Sequence, residues 1–69
     1  MKPRQPSDHD VWQAASLLVG VYGRDAVDYA VQRKNHLDDL GDRTGVATWA
    51  LILAQIEDLL RGSLLSAIN

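Results

Sequence analysis

A helix stop, a helix start and a long apolar stripe follow one another directly in residues 37–60, LDDLGDRTGVATWALILAQIEDLL. Glycine at position 41 favours the left-handed conformation that ends a helix, and Asp42 is a good N-terminal cap for the next one. A junction this short predicts that the two flanking helices form an antiparallel hairpin. After the junction, apolar side chains recur at the spacing of one helix face. They are Val46, Trp49, Ile52, Leu53, Ile56, Leu59 and Leu60.

This last helix is predicted to span about residues 43–61, and it either stops at Gly62 or continues through Leu64 and Leu65. The helix before it spans about residues 24–40. Its narrower apolar face consists of Ala26, Tyr29, Ala30, Leu37 and Leu40.

The first helix is predicted to span about residues 8–22, because Ser7 can cap its open N–H groups and Gly23 can end it. Its surface is apolar over more than half of the circumference. A narrow polar stripe, which we expect to face solvent, consists of Gln13, Ser16 and Gly20.

These elements predict an all-α fold, a single small antiparallel three-helix bundle over residues 7–69. The period-two alternation of a half-buried strand is absent from the sequence. Residues 1–6 are predicted to form a flexible N-terminal arm, because Pro3 and Pro6 disfavour helix.

The composition excludes several classes of protein. The chain has 69 residues, with 7 basic and 9 acidic side chains, a net charge of −2 and no cysteine. Without cysteine it can form neither a disulfide framework nor a thiolate metal site. Its net negative charge argues against electrostatic binding to nucleic acid or to anionic lipid. No apolar run approaches the roughly 20 residues of a membrane-spanning helix. We therefore expect a cytoplasmic protein with no membrane partner.

The sequence contains no arrangement typical of an enzyme or of a cofactor site. It has no cysteine nucleophile, no serine in an elbow motif and no glycine-rich phosphate loop. Asp8, His9, Asp10 and His36 are predicted to lie near one end of the bundle, but acidic residues in a first helical turn are explained by the helix dipole. We predict no catalytic residue, no cofactor and no metal site.

Arg33 is a charged residue on the apolar side of the middle helix. Counting outward from the two turns places it level with both Trp12 and Trp49. We therefore predict a cluster in which Arg33 stacks on these two tryptophans. Two interpretations remain open: a structural side chain that covers a small core, which base rates favour, or a guanidinium that binds an anionic ligand.

Two smaller features of the hairpin also have structural explanations. Gly45 lies in the first turn of the last helix, where glycine is unfavourable, and it predicts a close approach by another helix. Arg24 and Glu57 are predicted to lie at similar levels and to form an ion pair.

Residues 39–53, DLGDRTGVATWALIL, are also similar to a helix-turn-helix unit. In that alignment the recognition helix presents Ala47, Thr48, Ala50 and Leu51 to the bases. Those side chains offer little hydrogen bonding and no positive charge to base edges and phosphates. A small DNA-binding regulator is therefore the second hypothesis.

The pattern G-D-x-x-G-V-x-x-W occupies residues 41–49, and further characteristic positions are Trp12, Gly23, Ala26, Arg33 and Leu40. Together they resemble a family of short bacterial proteins assigned only as a domain of unknown function. The resemblance extends over about residues 10–60, and the chain departs from the family in its longer apolar stretch WALILA and in Leu64 and Leu65. It implies a compact all-helical domain and implies no activity or ligand.

The first and third helices are apolar over more surface than one small interior can cover. We expect the surplus, with part of the first helix, to form an exposed apolar patch: Ala47, Leu51, Ala54, Leu64 and Leu65. Exposed patches of this kind mark interaction sites. We therefore predict a non-catalytic interaction protein whose partner is a second copy or another protein, with a two-fold homodimer as the first choice.

Overall fold

The computed structural model describes residues 7–68, and of residues 63–68 it describes the backbone alone. Three helices make up this part of the chain: α1 (Asp8–Tyr22), α2 (Asp25–Asp39) and α3 (Arg43–Ile68). The predicted all-α three-helix fold is confirmed, and α3 continues past Gly62. The predicted arm, residues 1–6, lies outside the described residues.

The ends of α1 follow from contacts within a few residues. The Ser7 hydroxyl accepts a hydrogen bond from the Asp10 backbone N–H at 3.1 Å, and the Asp10 carboxylate accepts one from the Ser7 N–H at 3.4 Å. This reciprocal pair is a capping box. At the other end Gly23 has a φ of 58°, a conformation that costs an L side chain energy. Both predicted ends are confirmed.

The turn between α2 and α3 satisfies the open groups of both helices at once. Gly41 has a φ of 75°, and the Asp42 N–H donates to the Leu37 carbonyl at 2.9 Å while the Gly41 N–H donates to the Asp38 carbonyl at 3.0 Å. These two bonds form a Schellman motif, which ends α2. The Asp42 side chain then accepts from the Gly45 N–H at 2.9 Å and caps α3.

The two helices of this hairpin keep the predicted antiparallel register. A Cβ atom placed on Gly45 would lie 2.9 Å from Leu37 Cδ1, so glycine leaves room for a side chain of α2. The close approach at Gly45 therefore comes from the Leu37 side chain and from the capping Asp42, not from a helix backbone. Four residues before Leu37 on α2, and so one helical turn further from the hairpin loop, Arg33 lies over the Trp49 ring.

The core is small and lies along α3. The buried apolar side chains of the described residues are Val11, Ala15, Ala26, Ala30, Ile52 and Ile56. Helix α3 packs extensively on both other helices, whereas α1 and α2 touch each other at few positions. Within this core Ile56 is the one large side chain that is fully buried.

Two sequence-based expectations about buried faces are wrong. Leu40 is 67% exposed, because α2 ends at Asp39 and Leu40 falls in the turn beyond the packed face. Ser16 is half-buried rather than solvent-facing, and its Oγ atom is buried without a hydrogen-bond partner among the described residues. The face of α1 that packs on the core carries Val11 and Ala15, and Ser16 lies next to Ala15 at the edge of that face.

Two glycines provide a matched test of the turn geometry. Gly41→Ala is expected to destabilise the fold by about 1 kcal/mol, because alanine would have to adopt a positive φ. Gly20→Ala is expected to stabilise it by about 0.8 kcal/mol, because Gly20 lies inside α1 and a Cβ there would meet nothing within 4 Å. Thermal unfolding at one fixed protein concentration measures both. Equal shifts for the two variants would contradict the assignment of Gly41 as a helix stop.

Candidate functional site

The outward side of α3 carries an exposed apolar segment. Leu51 is 53% exposed, and Ala47 and Ala54 beside it are also exposed. The three residues recur at intervals of four and three, so they lie on one face of the helix. Leu64 and Leu65, which were predicted to extend this patch, have side chains outside the described residues.

Helix α1 adds exposed apolar side chains of its own. Leu17 and Val21 are 66% and 71% exposed and lie one helical turn apart. Near the start of α1, Val11 lines a shallow recess of about 180 Å³ together with Leu51 and Ala54 of α3. The polar residues of its rim are Asp8, Gln55 and Asp58. Helix α1 therefore joins the surface around Leu51 at Val11.

The small core explains why apolar surface is left over. Three of the six buried core residues are alanines, which allow the helices to approach closely but bury little area. Larger apolar side chains consequently remain at or near the surface. A domain of about 70 residues seldom gains enough stability from such a core alone, and association is one of the usual supplements.

Arg33 lies at one end of a row of aromatic side chains that connects all three helices. Its guanidinium carbon lies 5.9 Å from the centroid of the Trp49 ring, which is cation–π distance. The Tyr29 ring is tilted against Trp49 at 5.9 Å between centroids, and it stacks on Tyr22 of α1 at 5.1 Å. The row therefore crosses from the end of α1 through α2 to α3.

The structure brings together two of the three residues predicted for this cluster. Trp12 is 49% exposed, and no ring or cation–π contact of Trp12 is found within the part of the chain that the structure describes. Counting from the α1–α2 turn assumed that these two helices stay paired, but they touch at few positions. Tyr29 takes the place beside Trp49. It lies four residues before Arg33 on α2, and this spacing was the signal that could have identified it.

Arg33 itself is exposed and reaches the Trp49 ring from the solvent side. The geometry is that of a long side chain covering a half-buried ring. Between residues 7 and 62 the one salt bridge joins Arg61 to Asp58 at 3.5 Å, and both side chains are largely exposed. The predicted Arg24–Glu57 pair is wrong, since Arg24 and Glu57 are exposed and form no salt bridge with each other.

Within the described residues no group of three or more histidine or acidic side chains is arranged to hold a metal ion. None of the described helices combines the length and the apolar character needed to cross a membrane.

A second shallow recess lies at the tip of the hairpin and measures about 270 Å³. Its charged residues are Asp38, Asp42 and Arg43, and Val46 and Ala47 complete it with Gly41. It opens at the N-terminal end of the same α3 face that carries Leu51. The exposed face of α3 therefore runs from an acidic hairpin tip, past an apolar middle, to Asp58 and Arg61.

Comparison of the chain with family models, with curated proteins and with solved structures finds no match.

Proposed function

We propose that this chain is a non-catalytic interaction module that self-associates through the apolar surface of α1 and α3. One observation carries the proposal: a leucine in the middle of α3 is half exposed between two exposed alanines, while the core of the described residues fully buries a single large side chain. Covering Leu51 would add the apolar burial that this core lacks. A cytoplasmic location in a bacterial cell, without cofactor or membrane, is part of the same proposal.

A second copy is the preferred partner because closed two-fold dimers are the commonest assemblies of soluble proteins. A different protein bound to the same surface is the competing outcome. The DNA-binding alternative has less support, because the two helices of a helix-turn-helix cross at about 90–120°. Here Leu37 meets Gly45 and Arg33 meets Trp49, so the two helices stay together over successive turns.

The test is the mass of the protein in solution, measured by light scattering after size exclusion over a tenfold range of concentration. We expect a mass of twice 7.6 kDa that falls toward the monomer value on dilution. A well-folded monomer at every concentration would overturn self-association, and the surface would then have to be tested against other proteins. Duplex DNA added at low salt should leave the mass unchanged.

A further inference from the structure

The exposed face of α3 is a straight seam of six side chains. They are Arg43, Ala47, Leu51, Ala54, Asp58 and Arg61, and all six are exposed. From Ala47 onward their spacing alternates between four and three residues, which is the heptad spacing that keeps a seam on one side of a helix. We call these six residues the α3 seam.

The charges of the α3 seam are placed symmetrically about its apolar middle. Arg43 lies four residues before Ala47, and Asp58 lies four residues after Ala54. A second α3 running in the opposite direction therefore places Ala47 opposite the partner's Ala54 and Arg43 opposite the partner's Asp58. A parallel copy would instead place arginine against arginine and aspartate against aspartate, and like charges in direct opposition are unfavourable.

From this symmetry we infer that two copies of the chain associate through an antiparallel pair of α3 helices, with the two-fold axis between positions 50 and 51. The inference rests on the proposed self-association and specifies its partner and its geometry. The seam has an alanine on each side of the two-fold axis. These small side chains allow the two α3 helices to approach until their own axes are about 8 Å apart. The two Leu51 side chains then meet near the axis, beside the recess that Val11 lines on α1.

The ends of the seam support the same direction. Arg61 lies 10 to 11 residues from the axis, so its antiparallel counterpart is the hairpin turn of the partner. The charged residues of the recess at that turn are Asp38, Asp42 and Arg43, so two of the three are opposite in sign to Arg61. Asp58 contacts Arg61 of its own chain through Oδ1 at 3.5 Å and is largely exposed, and a carboxylate can accept from a second arginine through its other oxygen.

Cysteine cross-linking tests the direction directly, because the native chain contains no cysteine. In the antiparallel pair, Ala47 of one copy faces Ala54 of the other. The two copies of Ala47 are separated along the helix axis by seven residues, or about 10.5 Å at 1.5 Å per residue. A disulfide requires about 4.4–6.8 Å between Cα atoms, so like positions are too far apart.

We therefore expect an equimolar mixture of Ala47→Cys and Ala54→Cys chains to form covalent dimers under mild oxidation. Each variant alone should cross-link at least about tenfold more slowly, since its thiols are out of range. If each variant links to itself as fast as the mixture does, the helices are parallel and the inference is overturned, although self-association survives. A dimeric mass with no cross-linking in the mixture likewise overturns the seam while leaving the proposed function in place. A monomeric mass overturns both.

Charge reversal gives an independent readout. Arg43→Glu and Asp58→Arg should each weaken dimerisation by about tenfold, and the double variant should recover most of the loss. Arg43→Glu also places a negative charge at the start of α3, where the helix dipole favours it, so a loss of dimer could not be ascribed to a weaker helix. The matched control is Glu57→Arg, which makes the same charge change as Asp58→Arg. Glu57 is exposed and lies beside the seam, so this variant should leave the dimer intact. A double variant no stronger than either single one would overturn the Arg43–Asp58 pairing.

Discussion

Leu51→Glu is expected to convert the dimer to a monomer while leaving the helical content nearly unchanged. Leu51 is about half exposed in the single chain, so a glutamate there remains hydrated and costs the fold little. In the dimer the same change removes apolar burial from both copies and brings two carboxylates close to the axis. The lost burial alone is worth roughly 1–1.5 kcal/mol per copy, or about 2–3 kcal/mol for the dimer, so association should weaken by about 30- to 150-fold.

Light scattering measures the mass of this variant, and circular dichroism measures its helix content at the same concentration. The matched control is Val31→Glu, which introduces the same charge at an exposed apolar residue of α2, outside the proposed surface. The control should keep the mass of the unmodified protein. If Leu51→Glu also keeps that mass, the α3 face is not where the copies meet.

Ile56→Ala is expected to produce the largest loss of stability of any single truncation within the described core. Ile56 is the one large side chain that is fully buried there, and removing its methyl and methylene groups leaves a cavity in the cluster of buried apolar residues. Truncations of this kind cost about 2–5 kcal/mol. A single core of this size rarely supplies more than about 3–5 kcal/mol, so the variant should be largely unfolded at 25 °C.

Urea unfolding followed by circular dichroism measures this effect. Leu40→Ala is the matched control, because Leu40 is largely exposed in the turn after α2, and its truncation should change the unfolding free energy by no more than about 0.5 kcal/mol. Similar losses for the two variants would contradict the position of the core along α3.

Both ends of α1, the end of α2 and the start of α3 were predictable because each depends on neighbours in the chain, whereas the sequence left open whether α3 stops at Gly62. The Ser7 and Asp42 side chains reach N–H groups three residues away, and Gly23 and Gly41 adopt positive φ values that other residues disfavour. The register of α2 on α3 was predictable for a related reason. A tight turn leaves one antiparallel pairing, so counting outward from it places Arg33 at Trp49.

The candidate surface was predictable in part. An excess of apolar side chains over what three short helices can bury already indicated exposed residues on α3, and Leu51 is one of them. The charge symmetry of the α3 seam could be recognised only after the exposed side of α3 was known, because the same residues read as isolated charges along the chain.

The inward side of α1 and the neighbours of Trp49 depended on tertiary contacts. Helix α1 is apolar around most of its circumference, and hydrophobic attraction has no direction, so its sequence did not select between Ala15 and Leu17 as the buried residue. Close packing selected Ala15, since a small side chain lets α1 approach the core while Leu17 and Val21 stay outside. Because α1 and α2 then touch at few positions, Tyr29 rather than Trp12 packs against Trp49. Local hydrogen bonds and backbone preferences thus set the start of α1 and the two turns between the helices, and close packing between helices set which apolar side chains remain exposed.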